Sequence, residues 1–325
     1  MKKLVLSFVL FLSAASAGCA LLNVSLTPAT KPLVEEKVEG EGKPKILLID
    51  LDGMISFKEK SDGLIMHRTR PSKVAFFREA LRKAEKDNDI AGVILRINSP
   101  GGSVGASDAI YHEIMSFKQK RKVPVYAHIM ELGASGAYYI AAASDRIVAS
   151  PAAVTGSIGV IAMKFNLEGL FSKVGVSSET YKSGPMKDFW SPFRPSTPEE
   201  QKMLQGIIDG LYSRFVGVVS ANRRKLLTVA EVKSFASGRI FTAEEALAAH
   251  LIDNVAYPDE TVEMMKKELN IAQARVVTYT RPGTFKSNIY SEADIPAAQV
   301  VNLLSINAED LSSFSGVQFM YLWNP

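Results

Sequence analysis

The amino-acid sequence predicts an α/β protein built on a parallel sheet, and three observations favour this class. Short apolar runs, such as 92–97 and 123–129, have the length and composition of buried strands. Segments such as 72–87 carry apolar residues at helical spacing. Loops rich in glycine and serine follow both apolar runs, at 98–103 and 130–136. This alternation of strand, loop and helix is typical of a parallel α/β core.

The other elements extend the same pattern. An apolar run at 45–51 predicts the first core strand, and a shorter run at 146–149 predicts another. A long helix is predicted over 197–226, because Thr197 can cap it and Pro198 suits its first position. Thr242 is predicted to begin a further helix.

Composition excludes several function classes. The chain has 325 residues, 47% of them hydrophobic, which is enough for a substantial core. Its formal net charge of +4 gives no indication of nucleic-acid binding. No histidine, cysteine and glutamate cluster has metal-ligand spacing, and no phosphate-binding loop is evident, so no metal and no cofactor is predicted. The single cysteine excludes an internal disulfide.

The first 18 residues predict a secretory signal peptide, with two lysines, an apolar run and small residues. Cys19 follows Ser16-Ala17-Gly18, an ending that resembles a bacterial lipobox and makes Cys19 a candidate lipidation site. Cleavage after Ala17 and an uncleaved anchor over 4–26 are the alternatives. All three interpretations of the N-terminal segment place the main domain outside the cytoplasm. Residues 19–44 are interpreted as a lipid anchor and charged, extended linker.

Ser135 lies at a predicted strand-to-helix turn, between the apolar run 123–129 and the small residues that follow. A serine there can present its hydroxyl beside the free N–H groups of a helix N-terminus, which is suitable for a nucleophile. The alternative is that Ser135 merely caps the helix. A second loop, Asn98-Ser99-Pro100-Gly101-Gly102-Ser103, also follows a predicted strand, and its glycines allow close approach of backbone N–H groups to a ligand. By itself that loop could be an ordinary turn.

A serine nucleophile requires a base, and none of the four histidines is suitably placed. His112 is predicted on a helix and His128 within a strand, where both would be structural. Lysine is the other candidate, and burial can depress its pKa enough for it to act as a base. Lys187 is flanked by Gly184, Pro185, Met186, Phe189 and Trp190, which could bury it; the alternative is a solvated surface lysine.

Four short motifs stand in order along the chain: Ser-Pro-Gly-Gly-Ser at 99–103, Ala-Ser-Gly-Ala-Tyr-Tyr at 134–139, Thr-Gly-Ser-Ile-Gly-Val at 155–160 and Lys-Ser-Gly-Pro-Met-Lys-Asp at 182–188. Together they resemble the short form of the signal peptide peptidase A family, serine peptidases with a Ser–Lys dyad. The resemblance covers about 45–280. It implies a ClpP/crotonase-like spiral fold with repeated β-β-α units and C-terminal helices.

The resemblance also implies a role for each matched residue. Ser135 would be the nucleophile, Lys187 the general base, and Ser157 the hydroxyl that orients the lysine amine. The N–H groups of Gly136 and of either Gly101 or Gly102 would form the oxyanion hole. The pattern departs from the family at Ala137, where glycine is more frequent.

The predicted domains are therefore the signal peptide (1–18), the anchor and linker (19–44), a peptidase domain (45–280) and a C-terminal extension (281–325). The expected function is a cell-envelope serine endopeptidase that degrades signal-peptide remnants and other apolar peptides, anchored to the membrane and assembled into a ring-like homo-oligomer. A crotonase-like acyl-CoA enzyme and a non-catalytic envelope scaffold are the alternatives. The apolar C-terminal end is expected to bind its own subunit, a neighbour or the membrane.

Overall fold

The structure is a computed structural model that describes residues 32–62, 68–281, 289 and 318–323. The predicted signal peptide and Cys19 lie outside these ranges. Thirteen strands are described: β1 (Val34–Glu39), β2 (Lys45–Asp52), β3 (Lys60–Asp62), β4 (Arg68–Arg70), β5 (Ile90–Ser99), β6 (Gly101–Ser103), β7 (Val125–Ala134), β8 (Arg146–Ala149), β9 (Val154–Gly156), β10 (Ile240–Thr242), β11 (Asn254–Val255), β12 (Arg275–Thr280) and β13 (Met320–Leu322).

Eight helices are described within the same ranges: α1 (Lys73–Glu85), α2 (Val104–Arg121), α3 (Gly136–Ala141), α4 (Glu168–Lys173), α5 (Pro198–Arg223), α6 (Val229–Phe235), α7 (Ala243–Ala248) and α8 (Pro258–Leu269). The predicted caps are confirmed. The Thr197 hydroxyl accepts a hydrogen bond from the Glu200 N–H at 3.2 Å, and the Glu200 carboxylate accepts one from the Thr197 N–H at 2.9 Å. This capping box starts α5 where the sequence predicted, and the helix ends at Arg223, three residues before the predicted Leu226.

The main sheet has nine strands, in the order β1-β12-β2-β5-β7-β8-β11, with β9 paired to β7 and β10 paired to β9. Its centre is parallel, because β12, β2, β5, β7 and β8 all run in one direction. Strand β5 is buried along almost its whole length, as expected for a parallel strand covered on both faces. The predicted α/β class is confirmed.

Strand β1 corrects part of the interpretation of residues 19–44 as a linker. Residues Val34–Glu39 pair antiparallel with β12 at the edge of the main sheet. Four of the six side chains are charged, because an edge strand that is exposed to solvent needs few apolar residues. The apolar pattern used for the sequence prediction therefore missed it.

Strands β3 and β4 belong to a separate unit. Within it, β3 and β4 form an antiparallel pair in which Ser61 faces Thr69. The elements that position the candidate site all belong to the other unit.

His128 is buried inside β7, which confirms its structural interpretation. Its Nδ1 atom lies 2.8 Å from the Thr261 hydroxyl, and its Nε2 atom lies 3.0 Å from the Ser150 hydroxyl. The Thr261 hydroxyl donates to the Tyr257 carbonyl at 3.2 Å, so it accepts from His128 and assigns the proton to Nδ1. Burial, assisted by the charge of Arg96, lowers the pKa of His128 to about 4.

His128 should make stability depend on pH. The folded state keeps the imidazole neutral, whereas the unfolded chain binds a proton below the ordinary value of 6.5. As pH falls from 6.5 towards 4, this group should remove up to about 1.4 kcal/mol of stability per pH unit. Urea unfolding at pH 7 and at pH 5 should show a larger decrease in the free energy of unfolding for the parent than for His128→Gln. Equal decreases in the free energy of unfolding of the two proteins would contradict this assignment.

Candidate active site

Ser135 lies at the junction of β7 and α3, as the sequence predicted. The backbone N–H of Ser135 donates to the Gly156 carbonyl at 2.7 Å, and the Ser135 carbonyl accepts from the Tyr139 N–H at 2.9 Å. The serine hydroxyl makes no capping hydrogen bond to the helix. The interpretation of Ser135 as a simple N-cap is therefore wrong, and its hydroxyl is left for other chemistry.

The backbone of Ser135 is strained, with φ 54° and ψ −116°. Non-glycine residues rarely adopt positive φ, and such strain of roughly 1–3 kcal/mol persists mainly where the surrounding structure requires it. A sharp strand-to-helix turn of this kind presents a nucleophile above the first free N–H groups of the helix. The residue is also 1% exposed, so this chain covers it.

Ser157 lies beside Ser135 because their strands are paired. Strands β7 and β9 are parallel, with Ala134 opposite Gly156, so the two serines are the next residues on neighbouring strands. Ser157 also has a positive φ, 51°, and its N–H donates to the Arg239 carbonyl at 2.7 Å. The structure thus brings together two serines that are 22 positions apart in the chain.

The glycine loop after β5 is held against a second backbone segment. The Ile55 N–H donates to the Gly101 carbonyl at 2.9 Å, and the Ser103 N–H donates to the Ile55 carbonyl at 2.9 Å. These bonds turn the N–H and carbonyl of Gly102 to the opposite edge of β6, because backbone groups alternate along a strand. A β-carbon on Gly102 would lie 2.0 Å from the Ile55 carbonyl oxygen, so only glycine fits this approach.

Gly101, Gly102 and Gly136 converge in space. A β-carbon placed on Gly101 would lie 2.7 Å from the Gly136 nitrogen, and one placed on Gly136 would lie 3.2 Å from the Gly102 nitrogen. Gly136 is the first residue of α3, so its N–H has no partner within the helix. Two backbone N–H groups therefore lie side by side next to Ser135.

Of the two loop glycines, Gly102 is the better candidate donor. The Gly101 N–H donates to the Ser99 hydroxyl at 3.1 Å. That bond leaves the Gly102 N–H, on the outward edge of β6, as the candidate donor to an oxyanion. The sequence left this choice open.

Lys187 lies on an exposed loop, and the described chain does not bury it. Its N–H donates to the Gly184 carbonyl at 3.1 Å, but the side chain is exposed and neighbouring Met186 is 42% exposed. Trp190 is buried, but the side chain of Lys187 remains exposed. The expectation that adjacent residues bury Lys187 is wrong for a single subunit.

The chain is similar to known peptidases. The sequence pattern of peptidase family S49 matches residues 117–272, and that of Clp protease matches residues 69–154. A protein of Enterococcus faecium named "Putative signal peptide peptidase SppA" is 35% identical over 81% of this chain and 76% of its own length. The chain belongs to peptidase family S49.

Two further relatives support this assignment. A Methanocaldococcus jannaschii protein named as a "Putative protease" is 33% identical over 85% of each chain. The Arabidopsis thaliana protein "Serine protease SPPA, chloroplastic" is 31% identical over 74% of this chain and 36% of its own length. This S49 protein is a serine-type peptidase, and its mostly parallel sheet is consistent with the ClpP-like fold that the sequence implied.

In this S49 peptidase, Arg194 fixes the loop that carries Lys187. Its guanidinium donates to both carboxylate oxygens of Asp188, at 2.7 and 2.8 Å, and also to Glu200 in the first turn of α5. The pKa of Asp188 is held well below its ordinary value, mainly by the hydrogen bond from Arg194. The residue that follows Lys187 is thus tied to the start of a long helix.

Replacing Arg194 should reduce peptidase activity more than stability. Arg194→Ala frees the loop, so we expect kcat to fall by roughly 10- to 100-fold through misplacement of Lys187. Arg194→Lys keeps the charge but loses the bidentate geometry, and it should recover only part of the activity. Arg78→Ala, which removes the exposed pair with Glu113, is the matched control. Equal activity of the Arg78 and Arg194 variants would contradict this role.

Sequence reasoning missed the aromatic wall of the site. Tyr139, Phe215 and Tyr321 pack together, with ring centroids 4.6 to 5.2 Å apart. Tyr139 lies in the serine motif and Phe215 in the apolar stripe of α5, but nothing in their spacing predicts that the C-terminal Tyr321 joins them.

The described residues contain no helix of the length and hydropathy that crossing a membrane requires.

Proposed function

We propose that this S49 peptidase is an endopeptidase with a Ser135–Lys187 dyad. The observation that carries the proposal is the strained Ser135, held at a helix N-terminus beside the N–H groups of Gly102 and Gly136. Neutral Lys187 would take the proton from the Ser135 hydroxyl as its oxygen attacks a peptide carbonyl. Ser157, on the adjacent strand, would hold the lysine amine in position.

The two backbone N–H groups would stabilise the negative charge of the tetrahedral intermediate. Collapse of that intermediate breaks the peptide bond, and Lys187 passes its proton to the leaving amine. Water, deprotonated by Lys187, then hydrolyses the ester on Ser135 and restores the enzyme.

A neighbouring subunit is proposed to supply or bury Lys187. The lysine side chain is exposed in the single chain, so the described residues do not provide the desolvation that a lysine base requires. Apolar side chains are also exposed on the preceding segment, where the Leu167 N–H donates to the Pro192 carbonyl a few residues after Lys187. Among them are Phe165 at 50%, Leu170 at 57% and Val174 at 65%. Burial of this patch against another copy would provide the desolvation that makes the amine a base.

The substrates are proposed to be apolar, extended peptides such as signal-peptide remnants, cleaved at the outer face of the membrane. Support comes from the name of the Enterococcus faecium relative and from the secretory pattern of residues 1–18. In this proposal Cys19 carries lipid that anchors the enzyme. One acyl chain binds membranes only marginally, so stable anchoring would require more than one.

A serine-reactive fluorophosphonate tests the dyad. The parent should be labelled once, with loss of peptidase activity, and Ser135→Ala should be neither labelled nor active. Ser234→Ala, which alters an exposed serine on α6, should behave as the parent does. Labelling of Ser135→Ala to the same extent as the parent would contradict the proposal.

Mass spectrometry of the mature N-terminus tests the anchor separately. We expect a chain that begins at Cys19 with added lipid mass, because the Gly18–Cys19 bond would be the processed one. An unmodified chain beginning at Gly18, or an intact Met1, would each contradict lipidation.

A further inference from the structure

Three residues with positive φ meet where β7 and β9 end. Ser135, Gly156 and Ser157 have φ values of 54°, 90° and 51°. The Gly156 carbonyl accepts the Ser135 N–H at 2.7 Å, and Ser157 is the next residue of the chain. Gly156 therefore links the two serines, so a displacement of its backbone would move both. Positive φ at a non-glycine residue persists only where the surrounding structure requires it.

The contacts that hold this backbone come from β10, much later in the chain. Strand β10 pairs antiparallel with β9 and places Ile240 opposite Gly156. Just before the strand, the Arg239 carbonyl accepts the Ser157 N–H at 2.7 Å. The segment between α6 and α7 thus fixes the backbone of Ser157.

The ring of Phe241 packs directly against Gly156. A β-carbon placed on Gly156 would lie 2.6 Å from Cδ2 and 3.2 Å from Cε2 of that ring. Only a residue without a side chain fits at this distance. Phe241 is 4% exposed and packs edge-to-face on Phe235, with ring centroids 6.1 Å apart. The position of Gly156 is therefore set by an aromatic side chain of β10.

Arg239 covers a face of the same ring. Its guanidinium carbon lies 4.4 Å from the centroid of Phe241, within the range of a cation–π contact. The guanidinium also donates to the Glu245 carboxylate at 2.8 Å, and that carboxylate accepts the Thr242 N–H at 2.9 Å in the capping box of α7. Phe241 thus contacts both the glycine and a guanidinium that is tied to the start of a helix.

We propose that Phe241 and Arg239 form a clamp that positions both serines of the active site. The clamp fixes Gly156 and, through it, the backbone of Ser135 and Ser157. This inference rests on the proposed function, because it assigns the contacts that align the nucleophile and the hydroxyl beside the lysine amine. The clamp acts on alignment alone, and a misplacement of about 1 Å in an active site can lower the rate by roughly 100-fold.

The first test removes the ring but keeps an apolar side chain. Phe241→Leu should lower kcat by roughly 10- to 100-fold and change KM by less than about threefold, because alignment in the transition state is lost while ground-state binding is kept. Labelling of Ser135 by the fluorophosphonate should also become slower. Phe241→Tyr keeps the ring against Gly156 and should recover most of the turnover.

Loss of fold is separated from loss of alignment by a matched control. Phe117→Leu makes the same change at a fully buried ring on α2 and should keep the parental kcat. All rates should be divided by the folded fraction from thermal unfolding.

A surface variant tests the clamp without altering the core. The Arg239 side chain is 56% exposed, so Arg239→Ala should fold like the parent. We expect its kcat to fall by roughly 3- to 10-fold, because the Phe241 ring loses the group that covers it. Arg78→Ala, which removes a 53% exposed partner of Glu113, is the matched control and should keep the parental kcat.

Two outcomes overturn the inference. If the parent shows Ser135-dependent cleavage of unfolded casein, but Phe241→Leu and Arg239→Ala both keep the parental kcat per folded molecule, the clamp does not position the serines and the proposed function survives. Absence of Ser135-dependent cleavage by the parent would remove the proposed function and this inference with it. Should Phe241→Leu fail to fold, the kcat of Arg239→Ala decides.

Discussion

Replacing Lys187 with alanine is expected to lower kcat by about 10³-fold or more, the loss typical when a catalytic base is removed. The thermal midpoint should barely change, because the side chain is exposed in the single chain and contributes little to the core. Lys173→Ala alters another exposed lysine at the end of α4 and is the matched control. Activity and thermal unfolding should be measured on the same preparations. Substantial turnover by the Lys187→Ala variant would show that Lys187 is not the base.

Mixing two inactive variants should restore part of the activity. Ser135→Ala subunits keep Lys187, and Lys187→Ala subunits keep Ser135, so a ring assembled from both contains some complete dyads. If each site uses residues from two neighbours, random assembly at equal amounts completes roughly one boundary in four. Activity near a quarter of the parent value is then the expected maximum. Confirmed subunit exchange without any activity would place the dyad within one subunit.

Replacing Gly102 with alanine should greatly reduce peptidase activity. The new β-carbon would lie 2.0 Å from the Ile55 carbonyl oxygen and 2.5 Å from its nitrogen, so β6 must move away from Ile55. Displacement of the Gly102 N–H removes one oxyanion donor, which costs roughly 10²- to 10³-fold in kcat.

Gly105→Ala is the control for that variant, because its β-carbon would meet only the Phe57 ring at 3.4 Å. Rates should be divided by the folded fraction from thermal unfolding, which separates loss of the donor from loss of the fold. A Gly102→Ala enzyme with parental kcat would mean that another group holds the oxyanion.

Local chemistry made much of this protein predictable. Apolar runs specified the central strands, because a parallel strand buried on both faces leaves no room for polar residues. Helix starts at Thr197 and Thr242 were predictable because a capping hydroxyl acts within three residues. The strand-to-helix turn at Ser135 was predictable for a similar reason, since both flanking elements are visible in the sequence.

Long-range contacts were not predictable in this way. Strand β1 escaped prediction because its position at the sheet edge, and not its own hydrophobicity, makes it a strand. The choice between Gly101 and Gly102 depended on a hydrogen bond to Ser99 and on pairing with Ile55, neither of which leaves a pattern in the sequence.

By itself, the sequence determined the α/β class, the position of the strand-to-helix serine and the order of the motifs around it. Tertiary structure alone decided that Ser135 lies beside Ser157, that Lys187 is exposed in a single subunit, and that Tyr321 pairs with Gly102. The physical reason is separation along the chain. Propensities and caps act over a few residues, whereas these three results depend on which distant backbone edges and side chains pack together.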